Sequence, residues 1–256
     1  MRCRLTLHQM KNNRKTILEV PVDAYQTEEF LSLIEEGLQN DGMRTIFAVN
    51  AEKIMYSRKD PELFSILKDS DFLIPDGFGP VVALRLIYGD RIGRTTGIGL
   101  MGKLLDLAER KNARVFIFGA KPDVLKTASE IIKVRYPSLD LVGTQHGYIQ
   151  EEDHENLIDK INDLRTDVLF VGLGSPKQEK WISQHKKALK VKFCLGVGGS
   201  IDVFAGKVPL APAWISRIYL EWLYRLMKEP SRIKRQKVIP IFILMILKEA
   251  LFRKNR

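Results

Sequence analysis

The first feature of this sequence able to do chemistry is a carboxylate placed where a strand runs out. Phe72-Leu73-Ile74 is a short apolar run that fits the end of a buried strand. Pro75 stops the run, because it has no N–H to give to a ladder. Asp76 follows, and Gly77 and Gly79 let the backbone turn sharply beside it. In open α/β sheets ligands bind at strand carboxyl ends, so Asp76 is a candidate general base. The same residues also fit an Asp-Gly turn that does no chemistry.

Two further strand ends carry polar or glycine-rich turns. Gly172-Leu173-Gly174-Ser175-Pro176-Lys177-Gln178 brings glycines to the same rim and opens a helix near Pro176. Backbone N–H groups, Lys177 and the Gln178 amide there suit a sugar or a phosphate, and a plain helix cap with Trp181 packed behind it fits equally well. Gly196-Val197-Gly198-Gly199 follows another apolar run and suggests either close approach of backbone to a ligand or tight turning. Asn50, at the end of the run 44–49, sits where a helix N-cap belongs.

Other patterns lack their context. Gly97-Ile98-Gly99-Leu100-Met101-Gly102 has the dinucleotide spacing, but Arg94-Thr95-Thr96 precedes it instead of a hydrophobic strand. A phosphate-binding loop would need Ser or Thr after Lys103, where Leu104 stands. A helix N-terminus able to accept an anion is still compatible with the stretch. Asp69-Ser70-Asp71 precedes its strand, so it falls at the opposite sheet edge from Asp76 and reads as a solvated turn. No His, Cys or Asp spacing suits a metal.

The elements that must position these residues alternate. Strands are expected over 16–20, 44–49, 72–74, 115–119, 139–143, 167–172 and 191–197. Helical spacing fills the intervals, including about 100–110 and 151–164. Strands separated by helices of this length pair in parallel through right-handed crossovers. The expected fold is α/β, a Rossmann-like, mostly parallel sheet with flanking helices over residues 1–212.

Residues 213–256 differ. The whole chain of 256 residues carries a net charge of +10. From Arg217 onward eleven Lys/Arg stand against three Asp/Glu, so +8 of that charge lies in the last forty residues. The helical, aromatic stretch 220–226 is followed by Pro230, a basic cluster and the apolar run Val238–Leu247. Ten residues fall short of the roughly 20 needed to span a bilayer. An apolar strip between basic flanks reads as a helical, membrane-associating appendage on an anionic leaflet. A helix packed on the body is the alternative. Nucleic acid is a poorer partner, since the apolar run would be wasted on it. Arg2 and Arg4 precede no apolar h-region, so no signal peptide is expected. Cys3 and Cys194 are too few for a disulfide framework.

Taken in order, several stretches resemble the WecG/TagA/CpsF family of bacterial glycosyltransferases. They are Val49-Asn50-Ala51-Glu52-Lys53, Pro75-Asp76-Gly77, Arg94-Thr95-Thr96-Gly97 and Gly119-Ala120-Lys121-Pro122. Gly174-Ser175-Pro176-Lys177-Gln178-Glu179, Gly198 to Phe204, Leu220 to Leu226 and Glu229 to Arg235 continue the match. The Asn-Ala-Glu-Lys and Pro-Ser-Arg-Ile-Lys-Arg forms look closest to the WecG branch, which makes enterobacterial common antigen. The resemblance implies inverting transfer of an N-acetylmannosamine-type sugar from a UDP-sugar donor to N-acetylglucosamine on undecaprenyl diphosphate, with no metal and no cofactor. It implies a cytoplasmic protein, peripheral on the inner face of the membrane, and leaves a homo-oligomer open. By position, Asp76 would be the base, and Asn50, Arg94 and Gln178 would hold the sugars and the nucleotide. Arg225, Arg232 and Arg235 would close over the donor diphosphate. The chain departs from the family pattern at Ala48, Gly99 and Leu210. That leaves N-acetylmannosamine, its uronic acid and glucose all open as the donor sugar. The other readings are a sugar-nucleotide or lipid-binding scaffold without turnover, a nicotinamide-dependent oxidoreductase built on Gly97–Gly102, and a nucleic-acid binder using the tail.

Overall fold

A computed structural model describes residues 13–90, 92, 97–209, 211–212, 215, 221–228 and 233–254; for some tail residues, Arg225 and Arg235 among them, it describes the backbone alone. The chain opens with a hairpin of β1 (Arg14–Ile17) and β2 (Val20–Asp23), paired antiparallel. The sequence suggests one short strand here. The chain instead reverses at Leu18 and Glu19, whose φ angles of 50° and 72° are left-handed. Such angles fit a two-residue hairpin turn, and with neither residue Gly, Asn or Asp the usual signal is missing.

Six strands form the main sheet: β3 (Arg44–Val49), β4 (Phe72–Pro75), β5 (Val115–Gly119), β6 (Leu141–Gln145), β7 (Val168–Gly172) and β8 (Phe193–Gly196). Their order is β4-β3-β8-β7-β5-β6. Each neighbouring pair is parallel, as the alternation predicts. Strands β5 and β7 are buried along their whole length, which explains their unbroken apolar sequences.

Helices cover both faces. On one lie α1 (Thr27–Gly37), α5 (Gly97–Lys111), α6 (Pro122–Arg135) and α9 (Ser200–Phe204), contributing Phe30, Leu104, Ile132 and Ile201 to a core. On the other lie α2 (Ala51–Ser57), α3 (Pro61–Asp69), α4 (Phe78–Tyr88), α7 (His154–Asp163) and α8 (Lys177–His185). Ile54, Leu67, Leu84, Ile161 and Ile182 fill the core beneath them.

The outer edge of β4 is covered by the hairpin. The Leu73 N–H donates to Asp23 Oδ2 at 2.7 Å, and Arg14 Nε pairs with Asp23 Oδ1 at 2.7 Å. At the amino end of the sheet Asp71 is more than a solvated turn. Its Oδ2 accepts from the backbone N–H and hydroxyl of Thr45 at 2.9 and 3.0 Å, tying β4 to β3.

The tail contains α10 (Glu221–Lys228), α11 (Ile233–Gln236) and α12 (Ile239–Lys254). The apolar strip of the sequence is therefore part of a sixteen-residue helix. That helix packs against α4 and α2. Phe242 and Ile246 are buried in the second core. Glu249 Oε2 accepts from the Leu18 N–H at the hairpin turn, and the Arg253 guanidinium lies over the Tyr88 ring. Packing on the body and an exposed apolar strip thus coexist on opposite sides of one helix. Ile241, Ile243, Leu244, Leu247, Leu251 and Phe252 are all exposed.

Candidate active site

Parallel pairing fixes where the candidate residues meet. Val49 is in register with Pro75, so Asn50 and Asp76 leave neighbouring strands side by side. The pairing extends one residue further, with the Asp76 N–H donating to the Val49 carbonyl at 2.8 Å. Gly77 then takes a left-handed φ of 75° and the chain turns into α4. Asp76 is half-buried.

The glycines at 97–102 do not form a loop after a strand; they are the first turns of α5. The Gly97 N–H donates to Asp76 Oδ1 at 2.9 Å. The helix end that could have taken an anionic ligand therefore has its leading N–H on the Asp76 carboxylate, a charge-assisted bond that fixes the acid's orientation. A β-carbon on Gly97 would lie 3.6 Å from Ser200 Oγ and 3.8 Å from both Ala48 Cβ and Asp76 Oδ2. Strands β3 and β4 and helices α5 and α9 therefore converge around Gly97, with Asp76 Oδ2 among the atoms nearest to it.

A second group lies beside it. Asn50 caps α2, its side-chain oxygen accepting from the Lys53 N–H at 2.8 Å. The Lys53 ammonium turns inward and donates to the Ala48 carbonyl and to Glu179 Oε1, each at 2.6 Å. Gln178 Nε2 donates to the same Glu179 oxygen at 2.9 Å, and Gln178 Oε1 accepts from the Gly198 N–H at 2.9 Å. A carboxylate only accepts and a backbone N–H only donates, so the amide has one orientation. Close approach is part of the design: a β-carbon on Gly196 would meet Gln178 Nε2 at 2.7 Å. Gln178 is 3 % exposed and Glu179 fully buried. Burial opposes the charged form of Glu179, but the Lys53 ammonium and the Gln178 amide outweigh it and hold the carboxyl below its ordinary range.

Asp76, Asn50 and Gln178 are thus gathered at the carboxyl ends of β4, β3 and β7. Gln178 departs from the open polar nest its sequence suggests, since its amide is turned inward onto protein partners. Arg94 and Arg232 lie outside the described residues. Arg225 and Arg235 are described by backbone only, in α10 and α11. The tail nevertheless reaches the site wall: Phe242 packs against Gly79, three residues after Asp76, beside Ala51, one residue after Asn50. Sequence reasoning missed Lys53, Glu179 and Phe242. Lys53 and Glu179 stand inside the quoted motifs, and their position one turn into helices that follow strands was the available signal. Nothing comparable marks Phe242 among its apolar neighbours. Cys194 is buried in β8, where burial pushes its thiol well above the usual range, so it offers no nucleophile. Among the described residues no group of three or more His, Cys, Asp or Glu could hold a metal ion.

A parallel α/β sheet with an oriented acid at its strand carboxyl ends, between helix termini and glycine turns, has the candidate residues at the edge where such sheets bind ligands. Comparison with known proteins makes the class specific. The model of the glycosyl transferase WecG/TagA/CpsF family matches residues 15–256, and the chain belongs to that family. Over 236 residues it is 35 % identical to the N-acetylglucosaminyldiphosphoundecaprenol N-acetyl-beta-D-mannosaminyltransferase of Bacillus subtilis strain 168, covering 92 % of this chain and 91 % of the relative. The protein of the same name from Staphylococcus aureus strain MW2 is 32 % identical over 247 residues, covering 95 % and 96 %. The family resemblance read from the sequence is borne out.

Proposed function

We propose that this protein transfers N-acetylmannosamine from UDP to the N-acetylglucosamine of an undecaprenyl-diphosphate acceptor, with inversion and without a metal. The carrying observation is the Asp76 carboxylate, held by the Gly97 N–H at the carboxyl end of β4, where Ala48 and Ser200 also converge on Gly97. The acceptor hydroxyl attacks the anomeric carbon, its proton passes to Asp76, and the bond from that carbon to the UDP oxygen breaks. The names of the relatives support N-acetylmannosamine over its uronic acid or glucose and support the lipid-linked acceptor.

Asn50, Gln178 and Arg94 hold the sugars and the nucleotide. Arg225, Arg232 and Arg235 meet the charge that develops on departing UDP, a task for which guanidinium groups are suited. The seating of α12 on α4 and α2, with Phe242 against Gly79, supports a tail held close to Asp76. No described helix is long and apolar enough to cross a membrane. The bare apolar face of α12 supports peripheral attachment to an anionic leaflet at the inner membrane surface.

The test is an assay of UDP-N-acetylmannosamine, its uronic acid and UDP-glucose with a lipid-diphosphate N-acetylglucosamine acceptor. Acceptor-dependent release of UDP from the first donor, lost in Asp76→Asn, is the expected result. Full turnover by Asp76→Asn would remove the base assignment, and UDP binding without turnover would leave a scaffold.

A further inference from the structure

The fully buried Glu179 belongs to no element of the reaction just described. Its Oε1 accepts from both Lys53 Nζ and Gln178 Nε2. Its Oε2 is buried and, among the described residues, has no hydrogen-bond partner. As a stabilising device this is a poor arrangement. A buried ion pair gains most when every lone pair is satisfied, and apolar residues of the same volume often serve stability as well. What the arrangement does achieve is connection. Through Lys53 it reaches the Ala48 carbonyl and the Asn50 cap; through Gln178 it reaches the Gly198 N–H. The ends of β3, β7 and β8 are thereby linked through one carboxylate oxygen, 126 residues away from Lys53 along the chain.

We infer that Lys53 and Glu179 are positioning residues, which lock the Gln178 amide in its single orientation and set the β3 end relative to the β7 end. This rests on the proposed role of Gln178 in holding the donor. The carboxylate fixes which edge of the amide is spent on protein. One N–H of Nε2 and one lone pair of Oε1 are not used by these two bonds. Without the carboxylate, among the described residues only the Gly198 N–H holds the amide, which can then swing about that bond, and misplacement of about 1 Å in a site of this kind can lower turnover on the order of a hundredfold.

The decisive variant is Lys53→Met/Glu179→Leu, which keeps the buried volume and removes both charges together. It is compared with Gln178→Ala and with the triple combination, reading the melting temperature, kcat, donor KM and, for slow variants, the affinity for UDP. The expected result is a folded protein with turnover or donor affinity reduced roughly ten- to hundredfold, and a further loss below about twofold once Gln178 is already Ala. Wild-type kinetics in the double variant would overturn the inference, as would an equal loss in both backgrounds. Full activity of Gln178→Ala would instead strike the donor-holding role of Gln178, and the positioning role with it. Should the double variant not fold, Glu179→Gln enters the same cycle and is judged by the same two results.

Discussion

Gly79 and Phe242 occupy one another's space: a β-carbon on the glycine would stand 3.2 Å from a ring carbon of the phenylalanine. It would also lie 2.9 Å from the Ala51 β-carbon. Absence of a side chain at 79 therefore makes the socket in which the C-terminal helix is seated, within three residues of the proposed base. Phe242→Ala should cost about 3–5 kcal/mol of docking energy. Gly79→Val should unseat the helix by the opposite route, filling the socket. In both, limited proteolysis beyond residue 212 should accelerate and turnover should fall while the sheet keeps its far-ultraviolet signature. Full turnover by protein whose tail has been cleaved would count against any catalytic part for the tail.

The outer side of the same helix carries a separate prediction. Leu244 and Leu251 are 68 % and 65 % exposed, so replacing them with Glu should disturb no packing. Each leucine contributes about 1.5–3 kcal/mol when fully withdrawn from water. Leu244→Glu/Leu251→Glu should lower binding to anionic vesicles by tenfold or more and leave turnover of a short-chain, water-soluble acceptor within about twofold. Unchanged flotation would exclude this face as the lipid contact.

Asp23 anchors the hairpin to the strand that delivers Asp76. Asp23→Ala leaves the Arg14 guanidinium, among the described residues, with only the Ser70 and Asp71 carbonyls and leaves the buried Leu73 N–H without its acceptor. A buried donor left unsatisfied typically costs about 1–3 kcal/mol. Urea unfolding should show a midpoint lowered accordingly with little change of slope. An unchanged midpoint would mean that another group takes over the edge of β4.

Acid stability offers a readout of the Lys53–Glu179 pair. The native carboxyl titrates below its ordinary range, so the unfolded chain binds its proton first as pH falls. Its stabilising contribution is complete above the unfolded value, about 4.3, and is lost as pH descends from there through the lower native one. Against Lys53→Met/Glu179→Leu, wild type should lose stability more steeply below about pH 4 and match its slope above about pH 5. Parallel curves across that window would show that the pair carries no such linkage.

The sheet was legible because parallel strands buried on both faces spell themselves out: Val115-Phe116-Ile117-Phe118 and Val168-Leu169-Phe170-Val171 could be little else. Asp76 was legible because Pro75 and Gly77 bracket it. The hairpin was not, since left-handed Leu18 and Glu19 are held by their surroundings and lack turn chemistry of their own. Nor could a chain read locally reveal that Lys53 turns inward to a carboxylate far along the sequence. The sequence marks Gln178 as a candidate site residue, yet its burial depends on Gly196 and Gly198 arriving from another strand. The seat of Phe242 depends likewise on a glycine 163 positions earlier, a dependence that hydrophobic patterning cannot encode.

The two-sided character of the last helix sets a height. Phe242 touches the wall that bears the acid, and Leu244 points away from it; a helix with its side chains measures about 10–12 Å across. Laid on a leaflet as proposed, the rod acts as a spacer that holds the cleft roughly that far above the headgroups. A saccharide raised on a diphosphate stem would then be met at its own elevation, without the lipid leaving the bilayer.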